Sequence, residues 1–316
     1  MELTISEVHD GMLLRDLLCR ELCISRRAIT HLKQKENGIL LDGHRVTVRA
    51  VLRKGQYLSL ALDDEDAHTS VVPAGDMPPI LYEDEDVLVC NKSGDMPTHP
   101  SHGHFDDTLA NAVAAYDISC TGRARVFRPI TRLDRETSGI VLIACNRRAA
   151  AKLSEDMQQK HIQKTYLAIL EGVPTERQGE ITHHIRRTAD SIILREVCDA
   201  DAPDAQAALT RYRVLCDWSV GKEHRSLVIA EPHTGRTHQL RVHFASLGTP
   251  IAGDGLYGRP SDDAPSRTCL HAFSLSFAHP FKGERMTLRA PLPDDILRHL
   301  PTDIKDQLDR LICLDE

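Results

Sequence analysis

The sequence has few aromatic residues, no Cys-x-x-Cys pair and no long apolar run. Aromatic residues make up 4% of the chain, and its nine cysteines are scattered singly. This usage argues against a secreted disulfide framework and against a cysteine zinc site. No apolar run approaches the roughly 20 residues that a membrane-spanning helix needs, and residues 1–10 show no signal-peptide pattern. We therefore expect a cytoplasmic protein with reduced thiols and no membrane association.

The remaining composition is ordinary for a globular protein, but its charge is unevenly distributed. The 316 residues exceed one typical domain of roughly 100 to 200 residues, so we expect a catalytic core and a smaller module. The net charge of −7 argues mildly against nucleic-acid binding by the chain as a whole. Residues 1–60, however, carry ten Lys or Arg against seven Asp or Glu. Because salt screens distant acids over about 10 Å, such local density is sufficient for phosphate contacts.

The N-terminal stretch predicts two short helices followed by a small hairpin sheet. Ser25 is a suitable N-cap for the second helix, and Arg26 and Arg27 follow it in the first turn. Cations there oppose the helix dipole unless an anion such as phosphate offsets them. Beyond a turn at residues 42–43, the alternating valines of residues 46–51 predict a strand.

Residues 63–79 read as a linker, and the rest of the chain predicts an α+β fold. The linker opens with an acidic run and contains three prolines. From residue 80 onward, short strand candidates alternate with helical stretches, which favours a sheet with helices on its faces. We predict a helix over residues 236–247, capped by Thr234 and stopped by Gly248, and a terminal helical segment over residues 294–314 that breaks at Pro301.

One acid lies between two arginines at the start of an apolar run. Asp134 is flanked by Arg132 and Arg135, and Thr137-Ser138-Gly139 leads into the run. Flanking guanidinium groups favour the ionised carboxylate, and a loop entering a strand can hold it rigidly at a cleft. Such a carboxylate suits chemistry at an anomeric carbon or at an electron-poor uracil ring. Composition alone would favour a structural Arg-Asp ion pair.

Two further stretches carry candidate side chains. The pattern around Tyr166 alone predicts a half-buried residue of a strand. In the helix predicted over residues 236–247, Arg236, His238 and Arg241 lie on polar faces, which suits either solvent or a site.

These motifs together resemble the RluA family of RNA pseudouridine synthases. Arg-Leu-Asp with Thr-Ser-Gly at 132–139, Lys-Thr-Tyr at 164–166 and Gly-Arg-Thr-His-Gln-Leu-Arg-Val-His at 235–243 follow one another in the family's order. Thr131 stands where many members have histidine. The resemblance implies the pseudouridine synthase fold over residues 80–316, with a mixed, largely antiparallel sheet flanked by helices.

The resemblance also implies roles for individual residues. Asp134 would be the catalytic aspartate, Arg241 its ion-pair partner, and Tyr166 the residue that stacks on the extruded uracil and takes part in proton transfer at C5. Arg132, Arg236 and His238 would bind the substrate. Whether the aspartate attacks the sugar carbon or removes the neighbouring proton stays open. No cofactor and no metal are implied.

Residues 1–62 are similar to the alpha-L (S-four-like) RNA-binding domain, which implies that Arg26 and Arg27 contact RNA. An appended alpha-L domain is typical of family members that act on large-subunit ribosomal RNA, so we expect that substrate, with transfer RNA as the alternative, and a monomer. Two other functions stay open: a non-catalytic RNA-binding protein, and a metal-dependent hydrolase that uses the cluster His99, His102, His104 and Asp106. Loss of Asp134, Tyr166 or Arg241 would indicate the first, and sensitivity to a chelator the second.

Overall fold

A computed structural model of the protein describes residues 2–22, 24, 26–61, 71–221, 223–259 and 264–313. Its strands form two separate sheets, one of four strands and one of ten. The four-stranded sheet is built from residues before 61, and the first strand of the ten-stranded sheet begins at Ile80. Within the described residues, no helix combines the length and apolar character needed to cross a membrane.

The small sheet packs on short helical segments through a leucine-rich core. Its strands pair in the order β1-β4-β2-β3, and the helical segments are α1, a π-helix and α2. Their bounds are β1 (Glu2–Thr4), β2 (Ile39–Leu41), β3 (His44–Arg45), β4 (Tyr57–Leu60), α1 (Leu14–Asp16), the π-helix (Leu17–Glu21) and α2 (Arg26–Gln34). The buried side chains include Leu14, Leu17, Leu18, Leu32, Leu52 and Leu58. The predicted cap Ser25 lies outside the described residues.

The predicted strand over residues 46–51 is wrong, because the backbone carbonyls of this segment bond to a helix. Leu14 N donates to Ala50 O and Arg15 N to Val48 O, both at 2.9 Å. The first amides of a helix lack partners within the helix. This segment supplies two of those partners and does not extend the sheet beyond Arg45.

The large sheet runs in the order β10-β9-β11-β12-β8-β13-β7-β6-β5, and β14 pairs with β13. Among its described strands, β13 and β7 pair in parallel and the other neighbours pair antiparallel, which confirms the predicted mixed, largely antiparallel sheet. The strands are β5 (Ile80–Glu83), β6 (Val87–Lys92), β7 (Ser138–Ala144), β8 (Gln163–Glu171), β9 (Gln178–Arg187), β10 (Arg195–Cys198), β11 (Gln206–Val220), β12 (Glu223–Pro232), β13 (Leu270–Ala278) and β14 (Arg285–Arg289).

Helices cover parts of the large sheet, and their ends are defined by local caps. Their bounds are α3 (Leu109–Thr121), α4 (Arg147–Gln158), α5 (Gln239–Ser246), α6 (Asp294–Leu297) and α7 (Thr302–Cys313). Thr108 forms a capping box with Asn111 at the start of α3, and Asn146 accepts from Ala149 N at the start of α4. Such caps satisfy amide groups that the helix itself leaves unbonded. As predicted, the terminal segment breaks near Pro301.

The helix predicted from Arg236 begins later, at Gln239. His238 occupies the N-cap position in the left-handed conformation, with φ of 57°. The hydroxyl of Thr234 donates to Gln239 Oε1 at 2.6 Å and does not cap the backbone. Residues 235–238 therefore form an irregular loop in front of α5. The side chains of Arg236, Thr237 and His238 in this loop line a cleft.

Candidate active site

The loop between residues 131 and 137 places Asp134 immediately before β7 and is bound on both sides. Thr98, which is buried, donates its hydroxyl to Leu133 O at 2.8 Å and accepts from Leu133 N at 3.2 Å. Thr137 N donates to Asp134 O at 3.1 Å and closes a turn. Backbone hydrogen bonds on each side of Asp134 therefore fix the direction of its side chain.

The side chain of Lys92 also holds the loop of residues 131–137 in place through hydrogen bonds. Its ammonium group is fully buried and donates to three carbonyl oxygens, Ser93 O and Met96 O at 2.7 Å and Arg135 O at 3.2 Å. The pKa of Lys92 is lowered to about 7, mainly by burial and also by the charge of Arg267, while the charge of Asp134 partly opposes the decrease. The lysine thus ties the Asp134 loop to the loop after β6.

A glycine allows β7 to lie against β13 directly behind this loop. Gly139 has φ of 114°, and a Cβ atom there would come within 2.3 Å of Ala272 O. Only a residue without a side chain fits such a close approach of two backbones. The Thr-Ser-Gly sequence after Asp134 therefore brings the aspartate loop next to β13 and β8.

Arg241 approaches Asp134, but its main partner is Asp254. Its Nη1 lies 3.8 Å from Asp134 Oδ2, whereas its Nε and Nη2 donate to the two oxygens of the buried Asp254 at 2.7 and 2.6 Å. Burial opposes the charge of Arg241, but the hydrogen bonds and charge of Asp254 raise its pKa, with smaller contributions from Asp134 and Glu136. The bidentate pair fixes the guanidinium plane and leaves Nη1 directed at Asp134.

Tyr166 and His238 face the same carboxylate. Burial raises the pKa of Tyr166, and the charge of Asp134 adds to the effect. His238 Nδ1 lies 2.8 Å from the Tyr257 hydroxyl. Burial lowers the pKa of His238 while Asp134 raises it. A phenol and an imidazole therefore approach Asp134 in a partly dry environment.

A cleft of about 700 Å³ collects the site residues that the sequence predicted outside the small domain. They are Asp134, Tyr166, Arg241, Arg132, Arg236 and His238. The Asp134 side chain is 32% exposed, so the carboxylate is accessible from the cleft. Arg132 and Arg236 are exposed at its margin. An accessible acid, a half-buried phenol and surrounding cations can act on an anionic, ring-bearing ligand.

Arg26 and Arg27 lie in the first turn of α2, but their side chains fall outside the described part of the structure. Their predicted contacts with RNA stay predictions.

The histidine loop does not form a metal-ligand group in the described residues. His99 stacks edge-on against Phe127, and His104 Nδ1 bonds to Asp107 Oδ2 at 2.6 Å. The described side chains that do converge in a potential ligand group are Asp84, Asp86 and His279. There Asp84 Oδ2 already accepts from Lys282 Nζ at 2.6 Å, and that cation takes the place a metal would need.

Asp254, Lys92 and Thr98 support the site, yet the sequence patterns assigned them no role. Lys92 does carry a signal, since a lysine two residues after the apolar run 87–90, on the same strand, is either paired or bonded to the backbone when it is buried. Asp254 follows a glycine with φ of 73° in a loop, and its link to Arg241 depends on tertiary packing.

Comparison with known proteins identifies relatives for most of the chain. The model of the RNA pseudouridylate synthase family matches residues 86–246. An uncharacterized RNA pseudouridine synthase of Bacillus subtilis, YjbO, is 37% identical over 87% of this chain and 94% of its own length. Ribosomal large subunit pseudouridine synthase D of Haemophilus influenzae is 34% identical over 73% of this chain and 74% of its own.

Solved structures show the same fold. The human RNA pseudouridylate synthase domain containing 1 protein superimposes with a TM-score of 0.59 at 29% identity. The match covers 74% of this chain and 94% of the human chain.

Proposed function

The chain belongs to the RluA-type RNA pseudouridine synthases, and on that premise we propose that Asp134 is the catalytic residue and that large-subunit ribosomal RNA is the substrate. The observation that carries the catalytic assignment is the cleft in which Asp134, Tyr166 and Arg241 meet. The substrate proposal is supported by the relatives named ribosomal large subunit pseudouridine synthase D. It is also supported by the separate basic N-terminal module, which we propose acts as an alpha-L RNA-binding domain.

Isomerisation of uridine breaks the bond between C1′ and N1 and forms one between C1′ and C5. The proton lost from C5 is balanced by a proton gained at N1, so nothing is consumed. The target nucleotide must first leave its helix to reach the cleft, which costs a few kcal/mol of stacking and pairing. Arg132 and Arg236, exposed at the margin, are placed to contact the phosphates of the extruded nucleotide.

Asp134 would act on the sugar in one of two ways, by attack on C1′ or by removal of the C2′ proton. Both require an ionised carboxylate in a fixed orientation. Arg241 Nη1 places a positive charge 3.8 Å from the carboxylate, and the hydrogen bonds of Thr98 to Leu133 restrict the loop. Once the bound nucleotide displaces water from the cleft, such pre-organised charge stabilises a transition state more than the same charge in solvent.

Tyr166 would supply the surface on which the detached uracil turns. Stacking of a base on an aromatic ring contributes about 1 to 3 kcal/mol and does not fix the base in one rotation. The ring can therefore hold uracil while it rotates from N1 to C5. The phenol hydroxyl, which stays protonated, would then relay the C5 proton by accepting it as its own proton leaves towards the group that delivers a proton to N1.

The decisive test replaces Asp134 by asparagine, which keeps the shape of the side chain but removes its charge. Purified wild-type protein and D134N are incubated with transcribed large-subunit ribosomal RNA, and pseudouridine is mapped by carbodiimide-dependent reverse-transcription stops. We expect stops with the wild type and none with D134N, although D134N still binds the RNA. D106N, which removes an exposed carboxylate of a neighbouring loop, serves as the matched control and should retain activity.

Each part of the proposal can fail separately. Full turnover by D134N would overturn the catalytic assignment. Stops in transfer RNA, with none in ribosomal RNA, would replace the substrate and leave the activity in place. Absence of stops in every RNA with the wild type would favour the non-catalytic RNA-binding protein.

A further inference from the structure

A second groove, of about 1120 Å³, lies beside the catalytic cleft and is strongly basic. Among its described lining residues, cations outnumber carboxylates by seven to one, the carboxylate being Glu231. The cations are Lys160, Lys164, Arg211, Arg213, Arg236, Arg285 and Arg289. The chain as a whole carries a net charge of −7. The groove thus has the opposite charge to the rest of the molecule, which favours an anionic ligand.

Strand pairing places this groove on the face of the sheet that points away from Tyr166. Tyr166 pairs with Ala230 and Ala272. The next row pairs Thr165 with Ser274 and Ser274 with Arg289. Since successive side chains of a strand point to opposite faces, the Arg289 row lies behind the row of Tyr166.

The same alternation exposes the cations at both sides of the groove. In β14, Arg285, Thr287 and Arg289 are exposed while Met286 and Leu288 pack into the core. Across the groove, the Arg211 side chain is 56% exposed on β11, where it pairs with Glu180 at 2.6 Å, so a phosphate that binds there competes with this exposed carboxylate. Arginines on two strands thus face a common channel.

The groove continues into the catalytic cleft around the ends of β8 and β12. Both are lined by Met157, Lys164, Pro232, Thr234, Gly235 and Arg236. At this junction, burial lowers the pKa of Lys164, so an anion bound there would stabilise its charged form. A chain of negative charges that enters the cleft can therefore pass this edge and continue along the groove.

We propose that the groove binds the phosphate backbone of the substrate RNA where it continues from the target uridine. This inference rests on the proposed function, because it assumes that RNA occupies the cleft. The aromatic side chains that line the groove, Tyr212 and Phe273, are buried, so contact is made through phosphates and not through base stacking. The groove therefore extends the RNA footprint without reading sequence.

The test measures the affinity for RNA and its salt dependence in the D134N background, so that turnover does not enter. The probe is a fluorescein-labelled hairpin of large-subunit ribosomal RNA with single-stranded flanks. The variant R211Q/R285Q removes one exposed cation from each side of the groove. We expect weaker binding, and a slope of log K against log salt that is smaller in magnitude by about 1.4, or roughly 0.7 for each lost single-strand phosphate contact.

Two matched variants make the result specific. R177Q/R298Q removes two exposed arginines that line neither groove nor cleft and should leave the slope unchanged. R211K/R285K retains both charges and should keep the wild-type slope, which shows that the fold survives substitution at these positions.

An unchanged slope in R211Q/R285Q would overturn the proposal and would favour an acidic protein segment as the ligand of the groove. An equal loss in R177Q/R298Q would do the same, because the effect would then reflect net charge. Both outcomes are independent of whether the wild-type protein forms pseudouridine. The proposal for the groove and the proposal for catalysis can therefore be refuted independently of each other.

Discussion

Tyr166 combines two properties that can be separated by substitution, a flat ring and a hydroxyl group. Burial and the nearby Asp134 both raise the pKa of this hydroxyl, so the phenol stays protonated at neutral pH and can act as a proton donor or relay. The ring itself needs no charge to stack on uracil.

Replacement of Tyr166 by phenylalanine should keep stacking and remove proton transfer. We expect the kcat of Y166F to fall by about a hundredfold or more, the usual range for loss of a general acid or base, with RNA affinity close to that of the wild type. Single-turnover pseudouridine formation and a filter-binding assay measure the two quantities. The half-buried Tyr116, which does not line the cleft and is substituted in Y116F, is the control. A Y166F enzyme with wild-type kcat would leave the tyrosine with stacking alone.

The position of Arg241 next to Asp134 depends on other residues besides these two. Its bidentate bond to Asp254 uses Nε and Nη2, and the guanidinium also lies 5.3 Å from the centre of the Tyr257 ring. Tyr257 in turn bonds to His238. Asp134 therefore faces a cation that other residues hold in place, and it does not have to supply the binding energy for that cation.

Among the secondary-structure elements, the active site depends on two loops that are bonded to each other. Residues 93–98 follow β6, and residues 131–137 precede β7. Thr98 and Lys92 join these loops through five hydrogen bonds to backbone atoms of Leu133, Arg135 and the first loop itself. The neighbouring strands β6 and β7 pair directly, which brings the two loops together at the same end of the sheet.

Replacement of Thr98 by valine removes its hydroxyl while keeping the shape. Because Leu133 N and O would then be buried without that partner, the free energy of unfolding should fall by about 1 to 3 kcal/mol per unsatisfied group. The kcat should fall as well, because Asp134 adjoins Leu133. Urea denaturation and single-turnover kinetics measure the two effects. T249V is the matched control for T98V, because the buried Thr249 hydroxyl has no hydrogen-bond partner among the described residues. Equal losses in T249V would show that the hydroxyl at position 98 has no special role.

The elements that the sequence predicted well are those with a local signal. The run of apolar residues in 139–145 predicts a buried strand, and β7 is buried along its full length. The family motifs led to the residues that meet in the cleft. In contrast, the start of α5 was predicted too early, because Thr234 looks like a cap in sequence but bonds to the side chain of Gln239.

Other features depend on contacts between distant parts of the chain. The valines over residues 46–51 alternate like a strand, but their backbone bonds to α1. Asp254 and Arg241 are 13 residues apart and pair only because the fold brings them together. The basic groove draws its cations from several strands, and no window of sequence contains enough of them to predict it.

At the scale of the whole molecule, two fully buried histidines make stability depend on pH. The pKa of His271 is lowered to about 4, mainly by burial. The hydrogen bond to Ala290 O opposes this decrease, and the charge of Arg267 adds to it. Burial also lowers the pKa of His243 to about 4, with His183 adding to the effect. Both rings are 0% exposed. The neutral imidazole of His271 suits its two bonds, one with the Ser138 hydroxyl and one with Ala290 O.

Acid should therefore destabilise the protein at pH values above those at which most carboxylates take up protons. In the unfolded chain each histidine takes up a proton as the pH falls through about 6.5, whereas the folded ring resists until about 4. Their contribution to stability is complete above pH 6.5 and is lost as the pH falls towards 4. Each ring should lose about 2 kcal/mol between neutral pH and pH 5.

Urea midpoints followed by fluorescence of Trp218, the single tryptophan, can measure this loss between about pH 4.5 and 7.5. The variant H271Q lacks one of these buried rings, so its stability should fall less steeply with acid than that of the wild type. This holds even if H271Q is less stable at neutral pH, because the slope and not the midpoint reports the proton uptake. H44Q, which removes an exposed histidine, should keep the wild-type slope. If H271Q kept it too, the buried ring would not be the group that couples folding to pH, and His243 would be the next to substitute.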